Sequence, residues 1–207
     1  MEHEYVLLAG VNRAKVGRYI GVAASGISAI VVMGILAIRD IAKELGVDAS
    51  IPPTFMSLAS AATIFFILYW LFDNFALRAV WISRLLKVPY LAGTWSVSGM
   101  SYRHDDSQPT HWAGDVTIVQ SWDKLRIRLK TTQSGSNSVV AAVMHDEVDG
   151  YQLIYNYKND PKINEVDLQS HVGFSRMTIN KDLCSAEGSY INGHGRATYG
   201  TMNWERK

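Results

Sequence analysis

Cysteine is almost absent from this chain: Cys184 stands alone among 207 residues. A single cysteine excludes an intrachain disulfide and a cysteine-based zinc site, and it suits a reducing compartment. An excess of positive charge is also missing. Residues 1–87 hold eight Lys/Arg against six Asp/Glu, and residues 88–207 hold twelve against thirteen. A protein that grips a long polyanion by counterion release needs a basic face, so DNA or RNA polymer binding is not expected. A small anion held by one or two arginines stays open.

Catalytic signatures are lacking as well. No serine sits in a Gly-x-Ser-x-Gly elbow, and there is neither a GxGxxG nor a GxxxxGK[ST] loop. The histidines form no HxH or HxxxH pair: His104 and His111 flank a proline-containing loop, and His145 sits beside Asp146 and Glu147. No metal or cofactor is expected on these grounds, and an enzyme is disfavoured.

What the chain does have is two long apolar runs. Tyr19 to Ile38 carries no charge and is bracketed by Arg18 and Arg39. At about 1.5 Å per residue such a run spans about 30 Å, the hydrocarbon thickness of a bilayer. After a polar loop with Asp40, Lys43, Glu44 and Asp48, Pro52-Pro53 opens a second uncharged run from Phe55 to Phe72. Phe65, Phe66, Tyr69, Trp70 and Phe72 crowd its far end, as at a membrane interface. A cleaved signal peptide would be shorter and would not be followed by a second run. Arg13, Lys15 and Arg18 precede the pair and Arg78, Arg84 and Lys87 follow it, against Arg39 and Lys43 between. The positive-inside bias places both termini in the cytoplasm.

Small residues recur every four positions along the first run, at Gly17, Gly21, Ser25 and Ala29, and Ser57 and Ala61 repeat the spacing in the second. Such stripes let helices approach closely in lipid, either within one chain or between chains. Residues 73–90 read as an interfacial helical extension closed by Pro89.

From Leu91 the period changes to two, with turn residues every ten to fifteen positions. Strands are expected around Trp95–Gly99, Val116–Trp122, Leu125–Leu129, Val139–Val143, Tyr151–Tyr157, His171–Asn180, Leu183–Asn192 and Arg196–Glu205. Asp149-Gly150 is a hairpin signal, and Ser134–Ser138 reads as a Gly/Ser/Asn turn. Eight antiparallel strands with short connections close most readily into an up-and-down β-barrel able to hold one small ligand. A β-sandwich is the alternative. The expected organisation is therefore an N-terminal segment (1–18), a hairpin of two transmembrane helices (19–72), a linker (73–90) and a cytosolic barrel (91–207).

The series Leu91-x-Gly93-x-Trp95, Gln120-Ser121-Trp122, Leu153-x-Tyr155-x-Tyr157-x-Asn159-x-Pro161, His171-x-Gly173, Gly188-x-Tyr190 and Gly193-x-Gly195-x-Ala197 resembles one family. It is similar to the two-transmembrane, β-strand-rich membrane effectors of bacterial CBASS anti-phage systems, associated with CD-NTase (cGAS-like) enzymes. The resemblance implies a lipocalin-like barrel that binds a cyclic di- or oligonucleotide second messenger. It also implies homo-oligomer assembly in the inner membrane, disruption of that membrane and death of the infected cell. In that setting the expected ligand contacts are Tyr155, Tyr157 and Asn159 for base faces and edges, Arg126, Arg128 and Lys162 for phosphate, and His171 and Tyr190 as further lining. A membrane-tethered scaffold and a lipid-binding barrel are the competing readings. An interior of arginine and tyrosine favours a nucleotide, and an all-aliphatic interior favours lipid.

Overall fold

The computed structural model describes residues 2–47, 52–103, 108–165, 168–193 and 196–207. His104, His194 and Gly195 lie outside them. The chain divides into two compact units, residues 1–10 with 77–207, and residues 11–76.

The helical unit is built on α1 (Arg13–Glu44), whose first turn is capped by the Asn12 side chain accepting from Ala14 N. At 32 residues it is longer than its uncharged stretch and reaches about 48 Å. The second apolar run is broken. Helix α2 (Pro53–Leu58) stops, Ser60 caps a new start by accepting from Thr63 N, and α3 (Ala61–Phe75) follows. Both α1 and the stretch Ala61–Arg78 are long and apolar enough to cross a membrane. Within the unit, Ala24 and Ala59 are buried, and Ser28 donates to the Ala59 carbonyl at 2.6 Å where the run breaks. The stripe through Gly21, Ser25 and Ala29 is not used in the same way. A methyl added at Gly17 or Gly21 would meet nothing, and Ser25 and Ala29 are exposed. Ser57 is exposed and Ala61 only half-buried.

A 3₁₀ turn (Ala76–Arg78) and α4 (Val80–Leu86) replace the continuous helical extension, and Lys87 ends α4 in the left-handed conformation at φ 55°. Leu77, Ser83, Leu86 and Val88 are buried, so the segment belongs with the β-unit.

The β-unit contains nine strands among the described residues. All eight expected strands form, as β2 (Gly93–Arg103), β3 (Thr110–Gln120), β4 (Lys124–Thr131), β5 (Ser134–Asp146), β6 (Gly150–Pro161), β7 (His171–Ile179), β8 (Ser185–Asn192) and β9 (Thr198–Arg206). The ninth is β1 (His3–Leu8), drawn from the segment assigned above to a plain N-terminal extension. The hydrogen-bonded order β1-β4-β3-β2-β9-β8-β7-β6-β5 closes on itself as a barrel, with β4 also paired to β5. Every ladder is antiparallel except β1 on β5, which runs parallel from Tyr5↔Ala141 to Leu8↔Met144.

The reason for a ninth strand lies at the seam. β4 and β5 pair only from Arg128↔Asn137 to Lys130↔Gly135. The register of β5 on β6 then shifts between Ser138 and Val140, a bulge that bends a strand away from its neighbour. β1 occupies the widening gap. Ser138 Oγ holds the junction, accepting from Ile127 N at 2.9 Å and pairing with His3 Nε2 at 2.7 Å. Tyr5 inserts its ring into the barrel core, 2 % exposed, and donates to the Ser121 carbonyl. The reading of Ser134–Ser138 as a turn is corrected by the same ladder: these residues are strand, and the turn lies at Thr131–Ser134. They read as a turn because they are small and polar, a composition the interior needs at this level.

The barrel has unlike ends. At one end Leu91, Trp95, Trp122 and Trp204 are fully buried and form a floor. The Gln120 carboxamide accepts from Leu91 N and donates to the Pro89 carbonyl, clamping the incoming linker. Arg206 donates to the Tyr90 and Ala92 carbonyls and lies 5.3 Å over the Trp95 ring. The Leu91-x-Gly93-x-Trp95 and Gln120-Ser121-Trp122 motifs thus build the floor. The other end is open.

Candidate functional site

Alternation along the strands decides which side chains face the open end. On β6, Tyr155, Tyr157 and Asn159 point inward while Asn156 and Lys158 point out. On β7 and β8, His171 and Tyr190 are buried. These five lie together in one pocket, with Trp112, Ser136, Asn192 and Arg196 completing its walls. The cavity is about 140 Å³.

Glycine makes room for the aromatic walls. Trp112 faces Gly99, Tyr157 faces Gly173 and Tyr190 faces Gly200 across their ladders. A Cβ at any of the three would collide with the aromatic ring opposite. Each ring lies along the wall over a residue without a side chain, which is how a barrel of this size keeps space inside. The His171-x-Gly173 spacing carries this arrangement.

Hydrogen bonds hold the rings in place. Tyr157 OH donates to Asn192 Oδ1 at 2.7 Å, and Asn192 Nδ2 donates to Thr198 Oγ1 at 2.8 Å. Trp112 Nε1 donates to Tyr190 OH at 3.0 Å, and that hydroxyl donates to Ser101 Oγ at 2.9 Å. Trp112 and Tyr190 meet edge to face at 5.9 Å, and Tyr155 and Tyr157 are tilted at the same separation. Burial pushes the Tyr155 and Tyr157 phenols far above their ordinary range, so both stay neutral donors. His171 Nδ1 bonds to the Gln169 carbonyl at 3.0 Å. Burial lowers the His171 pKa, and the Arg196 guanidinium nearby adds to that effect. Arg196 acts on Tyr157 as well, so the pocket carries a cation close to its neutral tyrosines and imidazole.

Three of the expected contacts are not in the pocket. Leu125, Ile127, Leu129 and Thr131 take the inward positions of β4, which puts Arg126 and Arg128 on the outer face. Arg126 forks onto Asn137 Oδ1 there, and Arg128 is exposed. The register of an alternating strand leaves no third choice. Lys162 is exposed at the rim, donating from Nζ to the Thr132 carbonyl beside the pocket residue Gln133. The cation that does line the pocket, Arg196, sits in an irregular segment before β9, where no periodicity marks its direction. Ser136 was hidden by its turn-like neighbours. Trp112 had no sequence signal beyond being aromatic.

Comparison with known proteins bears on the same residues. Residues 86–206 match the family described as Cap15, cyclic dinucleotide receptor domain, and residues 14–78 match Cap15, TM helices. CD-NTase-associated protein 15 of Yersinia aleksiciae is 45% identical over 205 residues, covering 99% of this chain and 97% of that one. A barrel with a tyrosine-walled pocket, a pair of apolar helices and an end-to-end relative agree on one assignment: the chain belongs to the Cap15 family of CBASS effectors.

Proposed function

We propose that the pocket receives a cyclic dinucleotide and that occupancy drives the helices of several copies to assemble and disrupt the bacterial inner membrane. The observation that carries this reading is the interior of the open end. Three tyrosines, a tryptophan, Asn159 and His171 converge there, within the stretch that matches a cyclic dinucleotide receptor domain. Aromatic faces with a few placed polar groups suit nucleobases, whereas a lipid site would be aliphatic. Arg196 and Lys162, at and beside the mouth, are the cations that meet phosphate; Arg126 and Arg128 face away.

Topology supports a hairpin with both termini in the cytoplasm. β1 precedes α1 and β2 follows α3 and α4, yet both strands belong to one barrel. This supports a reading in which the apolar helices return the chain to the side it left. The Gly21-Ser25-Ala29 stripe, free within the chain, is the surface offered to neighbouring copies. Ligand promotes assembly only if it binds the assembled form more tightly. No step of this requires catalysis.

The test uses the full chain in lipid nanodiscs or vesicles. Calorimetric titration with cyclic dinucleotides and their linear counterparts is followed by cross-linking and dye leakage. The expected result is saturable binding of a cyclic form, larger cross-linked species and leakage, with binding weakened in Arg196→Ala and retained in Arg128→Ala. Absence of binding across the cyclic panel by a folded protein refutes the reading.

A further inference from the structure

Two polar side chains in the pocket stand apart from its hydrogen-bonded walls. Asn159 and Ser136 are each 6 % exposed, both line the cavity, and they sit directly opposite one another across the β5–β6 ladder. Asn192 has both ends of its carboxamide engaged, and Tyr157, Tyr190 and Trp112 are all bonded. Among the described residues neither the Asn159 carboxamide nor the Ser136 hydroxyl has a hydrogen-bond partner. His171 follows Asn159 across the next ladder, but it is held through Nδ1. The polar groups of Asn159 and Ser136 open onto the cavity, where whatever enters it can complete their bonds.

The cavity size limits what that can be. At about 140 Å³ it is close to the engineered cavity of about 150 Å³ that takes up one benzene ring. It admits one six-membered ring and not two bases. A carboxamide presents a donor beside an acceptor, the pattern that pairs bidentately with the edge of a nucleobase.

Resting on the cyclic dinucleotide reading above, we infer that Asn159 and Ser136 together read the edge of a single inserted base, while the second base of the ligand stays outside the cavity. Selectivity then resides in one of the two nucleotides. A site built to hydrogen-bond a group discriminates strongly against a ligand that lacks it, because its own buried groups are left unpaired. The second base is tolerated broadly.

The experiment is titration of the full chain in nanodiscs with cyclic di-UMP, cyclic di-AMP, cyclic di-GMP and the mixed cyclic dinucleotides of these bases. The parent is compared with Asn159→Leu, Asn159→Asp and Ser136→Ala, each checked for folding by its thermal melt. For the parent, the tightest homodimeric ligand and the mixed ligands sharing its base bind within a few-fold of each other, with one ligand per chain. Asn159→Leu removes tenfold or more of the preference between bases, and Asn159→Asp, which keeps the shape and loses the donor, reorders it. Binding that persists in Asn159→Leu and Asn159→Asp with the parental order of preference overturns the inference. So does strict selectivity at both bases. Those results leave the cyclic dinucleotide reading standing; that reading falls only if the parent binds none of the probes.

Discussion

Replacing Tyr5 by alanine tests the least expected element of the fold, the strand that precedes the first helix. The phenol is 2 % exposed and packs in the same cluster as Trp95, Tyr155 and Trp204, and its hydroxyl donates to the Ser121 carbonyl at 3.3 Å. Truncating a buried aromatic to alanine removes about 3–5 kcal/mol. For a domain of this size each kcal/mol moves the melting temperature by about 3–4 °C, so the fall is about 9–20 °C. Val6 provides the control: it alternates to the outer face, 52 % exposed, and Val6→Ala stays within about 0.5 kcal/mol of the parent. The assay is thermal unfolding of the full chain in detergent, followed by tryptophan fluorescence, since Trp95, Trp122 and Trp204 are buried in the barrel. Hydrogen exchange along Tyr5–Leu8 gives an independent readout, because the alternate amides that face β5 in their ladder are protected. A Tyr5→Ala protein melting within 2–3 °C of the parent, or as low as Val6→Ala, refutes the placement of β1 in the wall.

Three other perturbations follow from the same geometry. Gly173→Ala drives a methyl onto the Tyr157 ring; overpacking of this kind destabilises by about 1–3 kcal/mol, and ligand affinity falls with it as the ring is displaced, both read by melting with and without cyclic dinucleotide. His171 is held with a lowered pKa, chiefly by burial, so its neutral form belongs to the fold. Stability from it is complete above the unfolded value of about 6.5 and is lost as pH falls through the lower folded value; melts between pH 7.5 and 5 show a decline that His171→Gln lacks. Asp146 also has a lowered pKa, through the Val148 and Asp149 backbone donors, but its contribution is lost only in acid well below that window. Gly21→Ile fills open space on α1, so it leaves barrel melting unchanged and reduces ligand-induced cross-linking, with apparent ligand affinity falling as the tighter-binding assembled form is lost; unchanged cross-linking removes the stripe from the assembly surface.

Much of this protein is written in local periodicity. An uncharged run the length of a bilayer, bracketed by Arg18 and Arg39, needs no tertiary information to read as a spanning helix. Alternation with a turn at Asp149-Gly150 places the strands, and the spacing of Tyr155, Tyr157 and Asn159 puts them on one face. What local pattern cannot decide is which face is inside. Arg126 and Arg128 alternate as regularly as Leu125 and Ile127, and only closure of the barrel turned the aliphatic set inward. The tertiary structure also decided the role of small residues. Gly99, Gly173 and Gly200 are silent in sequence until an aromatic ring from the next strand lies over each. Ser136 looks like turn until the cavity beside it requires a short polar side chain. β1 was invisible because six residues ahead of a helix carry too little pattern to mark a strand. Its pairing depends on a gap opened by a bulge well over a hundred residues later. Contacts between residues far apart in the chain are set by how the whole barrel closes, and no window of sequence contains that information.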